Sequence, residues 1–211
     1  MRPSGPGRAL AGLFLLVVVS ACSTTPVTTT AQDARTALYQ ARVNEIVSRK
    51  NWELQGRLAV NDGKDGGSGN FNWTRKPGAT HMDFHGALGR GAWRLDADDE
   101  GARLEMANGE LTRAANVDDL AQQQLGWQIP VNALEWWVRG LEAPGESQHM
   151  EIDDRGLLVR LSQFGWDIEF GRYDDSDVVV LPYKMTARRK DQTVKLAVRR
   201  WFLSAPGNEL Q

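Results

Sequence analysis

The 211-residue chain has a formal charge of −2, one cysteine and eight tryptophans, and 41% of its residues are hydrophobic. A mildly acidic chain without a lysine- and arginine-rich tract makes a poor nucleic-acid binder, and a lone cysteine rules out an intramolecular disulfide or a cysteine-based metal cluster. Stability must come from packing, for which the length is ample in one domain.

Arg2 and Arg8 form a basic start, followed by an apolar run over residues 9–19 that is too short to span a bilayer. Val19-Ser20-Ala21-Cys22 closes the run with small residues before a cysteine, the form of a lipobox. The pattern predicts a lipoprotein signal peptide over residues 1–21 and acylation of Cys22 as the new N-terminus. A membrane anchor or an ordinary signal with an incidental cysteine are the alternatives. Cleavage removes two arginines and no acid, which moves the formal charge from −2 to −4. Residues 22–32, rich in Thr, Ser and Pro, read as an acylated flexible tether. The folded domain is expected over 33–203, beginning with a helix over 33–49 whose Tyr39, Val43, Ile46 and Val47 form one stripe.

From Trp52 the period changes to two. Trp52, Leu54, Gly56, Leu58 and Val60 share one face, and Glu53, Gln55 and Arg57 the other, which describes a strand buried on one side. After a Gly- and Asp-rich turn over residues 61–69, Phe71 and Trp73 mark a hairpin partner. The alternation returns in Met82/Phe84, Trp93/Leu95/Ala97, Ala102/Leu104/Met106, Leu157/Val159/Leu161, Trp166/Ile168/Phe170, Tyr183/Met185/Ala187 and Val194/Leu196/Val198, with Ile152 in a further strand. Trp201 falls on the wrong parity in the last strand, and a bulge near Arg199 would repair it. Two helices interrupt the strands. The first covers 117–124 with Asn116 as N-cap, and its Val117, Leu120, Ala121 and Gln124 or Leu125 face inward. The second opens at Pro130, carries Leu134, Trp137, Val138 and Leu141 on one stripe, and ends near Gly140.

These elements predict a mainly β (α+β) domain, a curled antiparallel sheet with helices laid across its open side. Such a sheet can enclose an apolar cavity. Trp52, Trp73, Trp93 and Trp166 fall on the apolar parity of their strands, and Trp127, Trp136, Trp137 and Trp201 lie on or near helices and the last strand. They either fill a core or wall a space for hydrocarbon. Between Phe84 and Trp93 the segment His85-Gly-Ala-Leu-Gly-Arg-Gly91 flanks Leu88 with glycines, so Leu88 either stands out at a tip or folds back over the sheet edge.

Catalytic readings find little support. His81, Asp83 and His85 would share a strand face, but His149 is remote and alternating polar residues are what a wet face carries, so no metal site is expected. Ser68 in Gly66-Gly-Ser-Gly69 lacks the nucleophile-elbow pattern and falls in a hairpin turn, and no phosphate-binding glycine loop occurs. No enzyme activity and no cofactor are implied. Asp96, Asp98, Asp99 and Glu100 read as a solvated turn and Arg188-Arg-Lys190 as a solvated loop, although either could guide a docking partner.

In order along the chain, the lipobox, Trp52-Glu-Leu-Gln-Gly-Arg-Leu-Ala-Val60, Phe71-Asn-Trp73, Ala87-Leu-Gly89, Ile129-Pro-Val-Asn-Ala-Leu-Glu-Trp136 with Gly140, Asp154-Arg-Gly156, Gly165-Trp166, Phe170-Gly-Arg-Tyr173 and Val194-Lys-Leu196 with Trp201 resemble the outer-membrane lipoprotein receptor family LolB. The resemblance implies an incomplete β-barrel with a helical lid around an apolar cavity. It implies a receptor that accepts acylated lipoproteins from a soluble periplasmic carrier of similar, LolA-like fold and inserts them into the outer membrane. On it, the acyl chains would meet Trp52, Leu54, Leu58, Phe71, Trp73, Met82, Phe84, Trp93, Leu95, Trp137, Trp166 and Ile168. Leu88 takes the place of the family's membrane-insertion leucine, with Gly86-Ala87 where the family commonly has Asn-Pro. Ser23 after the cysteine fits the outer-membrane sorting rule, which puts the protein at the periplasmic face in contact with outer-membrane lipid, and a monomer is expected. A lipoprotein binding another lipid or glycolipid, or a structural assembly accessory without a cavity, are the competing readings. Residues 204–211 read as a tail.

Overall fold

The computed structural model describes residues 30–86, 91–175 and 179–205, so Cys22 and Leu88 lie outside the described residues. The chain opens with α1 (Ala31–Ser48), continues through β1 (Trp52–Asn61), β2 (Gly66–Lys76), β3 (Ala79–Gly86), β4 (Trp93–Asp98), β5 (Gly101–Met106) and β6 (Leu111–Ala114), then α2 (Val117–Leu125) and α3 (Val131–Trp137). It ends with β7 (Ser147–Ile152), β8 (Leu158–Gln163), β9 (Trp166–Tyr173), β10 (Pro182–Arg189) and β11 (Gln192–Leu203). These strands form one sheet in the order β6-β5-β4-β3-β2-β1-β11-β10-β9-β8-β7, antiparallel throughout. The edges β6 and β7 do not pair with each other, so the sheet curls without closing.

Register follows the apolar parity. Leu54, Trp73, Met82, Leu95 and Leu104 sit opposite one another across β1 to β5 and are all buried, because a one-residue slip would turn every one of them to water. The parity break at Trp201 is resolved by a bulge at Arg199: Gln55 pairs with Arg200 while Gly56 pairs with Val198. Trp201 thereby returns to the buried face. Glycine is required opposite the bulge, since a Cβ on Gly56 would lie 2.5 Å from the carbonyl oxygen of Ala197.

The helices begin where side chains can satisfy free backbone N–H groups. Thr30 and Asp33 form a capping box, which starts α1 two residues before the expected Asp33 and takes Ala31 and Gln32 out of the tether. Asn116 caps α2 through the N–H of Asp119. Pro130 precedes α3, and Gly140 (φ +73°) ends its last turn, where a Cβ would press on Tyr173 and Pro182. The short strand β6 escapes the sequence analysis because its residues are exposed or half-buried and carry no apolar alternation. The Gly66–Gly69 stretch, expected as a turn, opens β2, with Ser68 opposite Ala59.

Candidate functional site

The concave face of the sheet is aromatic. From β11 across to β3, Trp201, Trp52, Trp73, Phe71, Trp93 and Phe84 run in a chain of ring contacts. Trp52 meets Trp201 edge-on at 5.9 Å and Trp73 at 5.2 Å, Phe71 lies 6.1 Å from Trp73 and 6.3 Å from Trp93, and Phe84 stacks on Trp93 at 5.5 Å. Trp127, in the α2–α3 connection, closes on Trp93 at 5.3 Å. Edge-to-face contacts at these distances suit the ring quadrupoles and stiffen the wall.

The side chains singled out for acyl contact converge here. Trp52, Leu54 and Leu58 come from β1, Phe71 and Trp73 from β2, Met82 and Phe84 from β3, Trp93 and Leu95 from β4, Trp166 and Ile168 from β9, and Trp137 from α3. All belong to or pack against one cluster, and all but Phe84 are buried. The space between them is occupied by α2, α3 and the residues beyond, notably Leu120, Trp127, Leu134, Val138 and Leu141. A pocket reaching this interior, lined by Val60, Trp127, Ile129, Trp166 and Val194, measures about 10 Å³, roughly the room one water needs. Among the described residues these side chains fill the interior, and hydrocarbon could enter between them only if the helices shifted.

What holds them is polar. Gln163, fully buried on the inward parity of β8, accepts from the Trp137 indole N–H (2.9 Å) and the Ala143 N–H (3.1 Å) and donates to the Ala143 carbonyl (2.8 Å). Glu135 of α3 accepts from Arg75 of β2 at 3.1 Å and lies 3.6 Å from Arg139. The Arg139 guanidinium is buried between the rings of Trp52 (5.6 Å) and Trp136 (5.2 Å), and burial pulls its pKa down to about 10. Asp118 of α2 accepts from the first backbone N–H groups of α3, joining the two helices into a unit. Sequence reasoning missed this set. Its one legible signal is a glutamine at a buried parity, two residues after Leu161.

The far wall is closed by α1. Tyr39 accepts from the Glu142 N–H at 2.8 Å, and Arg42 lies over the Tyr173 ring at 5.5 Å with two of its buried nitrogens unpartnered. Burial lowers the pKa of Arg42 and raises that of Tyr173.

On the outer face, His81 is held between two carboxylates, with Nδ1 at 2.6 Å from Asp96 and Nε2 at 2.6 Å from Asp83. Arg94 pairs with Asp83 and Arg103 with Asp96, a ladder across β3, β4 and β5. Partial burial disfavours the imidazolium, but the two hydrogen bonds outweigh it and raise the His81 pKa. Asp96, expected in a solvated turn, is therefore a strand residue of this ladder, while Asp98 does shape the turn by accepting from the Glu100 N–H. His85 is exposed, and among the described residues no three His, Cys, Asp or Glu side chains gather in a way that could hold a metal. Arg188 and Arg189, expected in a loop, belong to β10, where Arg188 pairs with Glu169.

A curled, unclosed antiparallel sheet with helices laid across its concave face also occurs among solved structures. The LolA superfamily protein NE2245 from Nitrosomonas europaea superposes with a TM-score of 0.50 at 9% identity, covering 84% of this chain and 95% of that one. The family model of the outer membrane lipoprotein LolB matches residues 50–201. The outer-membrane lipoprotein LolB of Alkalilimnicola ehrlichii is 31% identical over 199 residues (94% of this chain, 98% of that protein), and that of Pseudomonas putida W619 is 34% identical over 163 residues (77% and 80%). The chain belongs to the LolB family of outer-membrane lipoproteins. No helix among the described residues is long and apolar enough to cross a membrane.

Proposed function

We propose that the protein is the outer-membrane receptor of a lipoprotein relay, taking acylated lipoproteins from a soluble LolA-like carrier and delivering them to the bilayer. Family membership over the whole sheet, joined to a concave face built of stacked aromatics, carries this reading. Acyl chains transfer by replacing the inward faces of α2 and α3 against Trp52, Phe71, Trp73, Trp93 and their neighbours. Each methylene kept from water is worth about 0.8 kcal/mol, so three long chains are confined to surfaces that never release them into solution. Directionality needs the receptor to hold them better than the carrier and the bilayer better still, with no nucleotide. Cys22 carries the acyl anchor that keeps a monomeric receptor at the periplasmic face of the outer membrane, with residues 22–30 as its tether. Leu88 enters outer-membrane lipid during release.

The test is a transfer reaction in which purified carrier loaded with one lipoprotein is mixed with outer membranes containing or lacking this chain. Cargo should reach the membranes only when the chain is present. Cargo remaining on the carrier in both would sink the receptor reading and favour the competing one that the packed interior suggests, an assembly accessory whose tryptophan core never opens.

A further inference from the structure

The interior of the sheet is packed, yet an open apolar space lies just outside it. On the other side of α3, a groove of about 310 Å³ is bounded by Pro130, Ala133, Trp136, Ala143, Pro144 and Phe164. Adjacent residues of α3 divide the two compartments, since Trp137 is fully buried against the core while the half-buried Trp136 faces the groove. Phe164 ties them together, because its ring lines the groove and also lies 6.3 Å from the Trp137 ring.

Phe164 is unusual in two respects. Its backbone is left-handed (φ +51°), a conformation that costs a bulky side chain energy, and the residue is 42% exposed. Its seat is also prepared: Gly145 (φ +125°) sits under the ring, where a Cβ would approach to 3.0 Å. The two-residue turn between Gln163 and Trp166 needs positive φ at both central positions, filled here by Phe164 and Gly165 (φ +75°), so the hairpin sets the backbone. Placing an aromatic residue there leaves an apolar side chain partly exposed at the rim of an apolar groove.

Position indicates what fills the groove. The registers place the β8–β9 turn, with Phe164 and Gly165, at the same end of the sheet as the connection between Gly86 and Gly91. That connection contains the segment assigned above to membrane entry. Phe164 thus forms one wall of the groove at the end of the sheet that the proposed function turns toward the bilayer. Most of the lining is hydrocarbon, with Asp118 and Asn132 at its polar border already engaged with each other and with the start of α3, so the groove offers nothing for a charged ligand.

We infer that the groove between α3 and the β8–β9 turn is an external subsite for one acyl chain of the lipoprotein cargo, occupied before or while the helices uncover the aromatic interior. The inference rests on the receptor reading. It adds a binding site outside the concave face and makes Phe164 and Trp136 the residues that hold the chain there.

The test uses the full chain in outer membranes with photoreactive benzoylphenylalanine in place of Phe164, and carrier loaded with a lipoprotein bearing deuterated acyl chains. Irradiation during transfer should give an adduct carrying deuterated chain. An adduct with unlabelled membrane phospholipid alone, or no adduct while cargo still reaches the membrane, overturns the groove assignment and leaves the receptor reading standing. Failure of cargo to reach the membrane with the unsubstituted chain removes the receptor reading itself. Phe164→Gly separates binding from folding, because glycine relieves the left-handed backbone. This variant should melt no lower than the parent yet transfer cargo about tenfold more slowly, the loss expected for part of a buried phenyl contact. Transfer at the parent rate would overturn the assignment.

Discussion

His81 is the residue whose chemistry is most exposed to conditions. Both its ring nitrogens face carboxylates, so the arrangement is complete only when the imidazole is protonated. Its folded-state pKa lies above the ordinary 6.5, so the ring binds its proton more tightly in the folded form than in the unfolded one. The resulting stabilisation is fully present below about pH 6.5 and is lost as pH rises through the raised folded value. The urea midpoint of the parent should therefore exceed that of His81→Asn by more in mildly acidic than in alkaline buffer. Equal differences at both ends would remove the ladder from the account. The effect is modest, because the pair partners are partly solvated. Alternation identified His81, Asp83 and His85 as sharing a wet face. It did not show that Asp96, fifteen residues away, completes the site, since partners across strands depend on register. Gly56 shows the same limit. Its place on the apolar face was readable, but the reason no other residue fits is the Ala197 carbonyl brought beside it by the bulge.

At the scale of elements, the helical cover is held by a few buried polar contacts. Gln163 satisfies the Trp137 indole, the Ala143 N–H and the Ala143 carbonyl at once, and a buried group left without its partner costs about 1–3 kcal/mol. Gln163→Leu strands all three, so we expect a loss of about 3 kcal/mol or more in urea unfolding. It should also increase binding of a hydrophobic fluorescent probe, because α3 is then less tightly held over the sheet. A variant as stable as the parent would show that this network does not hold the cover. Apart from β6, the strands and all three helices were legible because amphipathic period and capping are local signals: Asn116 and Pro130 stand where α2 and α3 begin, and the odd parity of Trp201 located the bulge. Strand β6 was not legible, since its Leu111 is exposed and only its pairing with β5 defines it.

For the whole molecule, the proposed function assigns accepting cargo and releasing it to different regions. In that reading the aromatic interior and the α3 groove receive hydrocarbon, whereas Leu88 and Cys22 meet the membrane. Leu88→Glu should therefore leave cargo acceptance from the carrier near parental levels while slowing delivery to liposomes at least tenfold, as burying a charge instead of a leucine would require. Loss of both steps together would place Leu88 in the fold rather than at the membrane. The lipobox, the strand and helix pattern, the apolar parity of the tryptophans and the resemblance to the LolB family are properties of residue order, and sequence alone determines them because each rests on neighbours a few positions apart. Tertiary structure decided that the interior is packed rather than open, that Arg75, Glu135, Arg139 and Gln163 fasten the cover, and that Phe164 stands exposed beside a groove. Those features join β2, α3 and β8, elements distant in the chain, and contacts of that kind arise only when the curled sheet brings its strands and helices together.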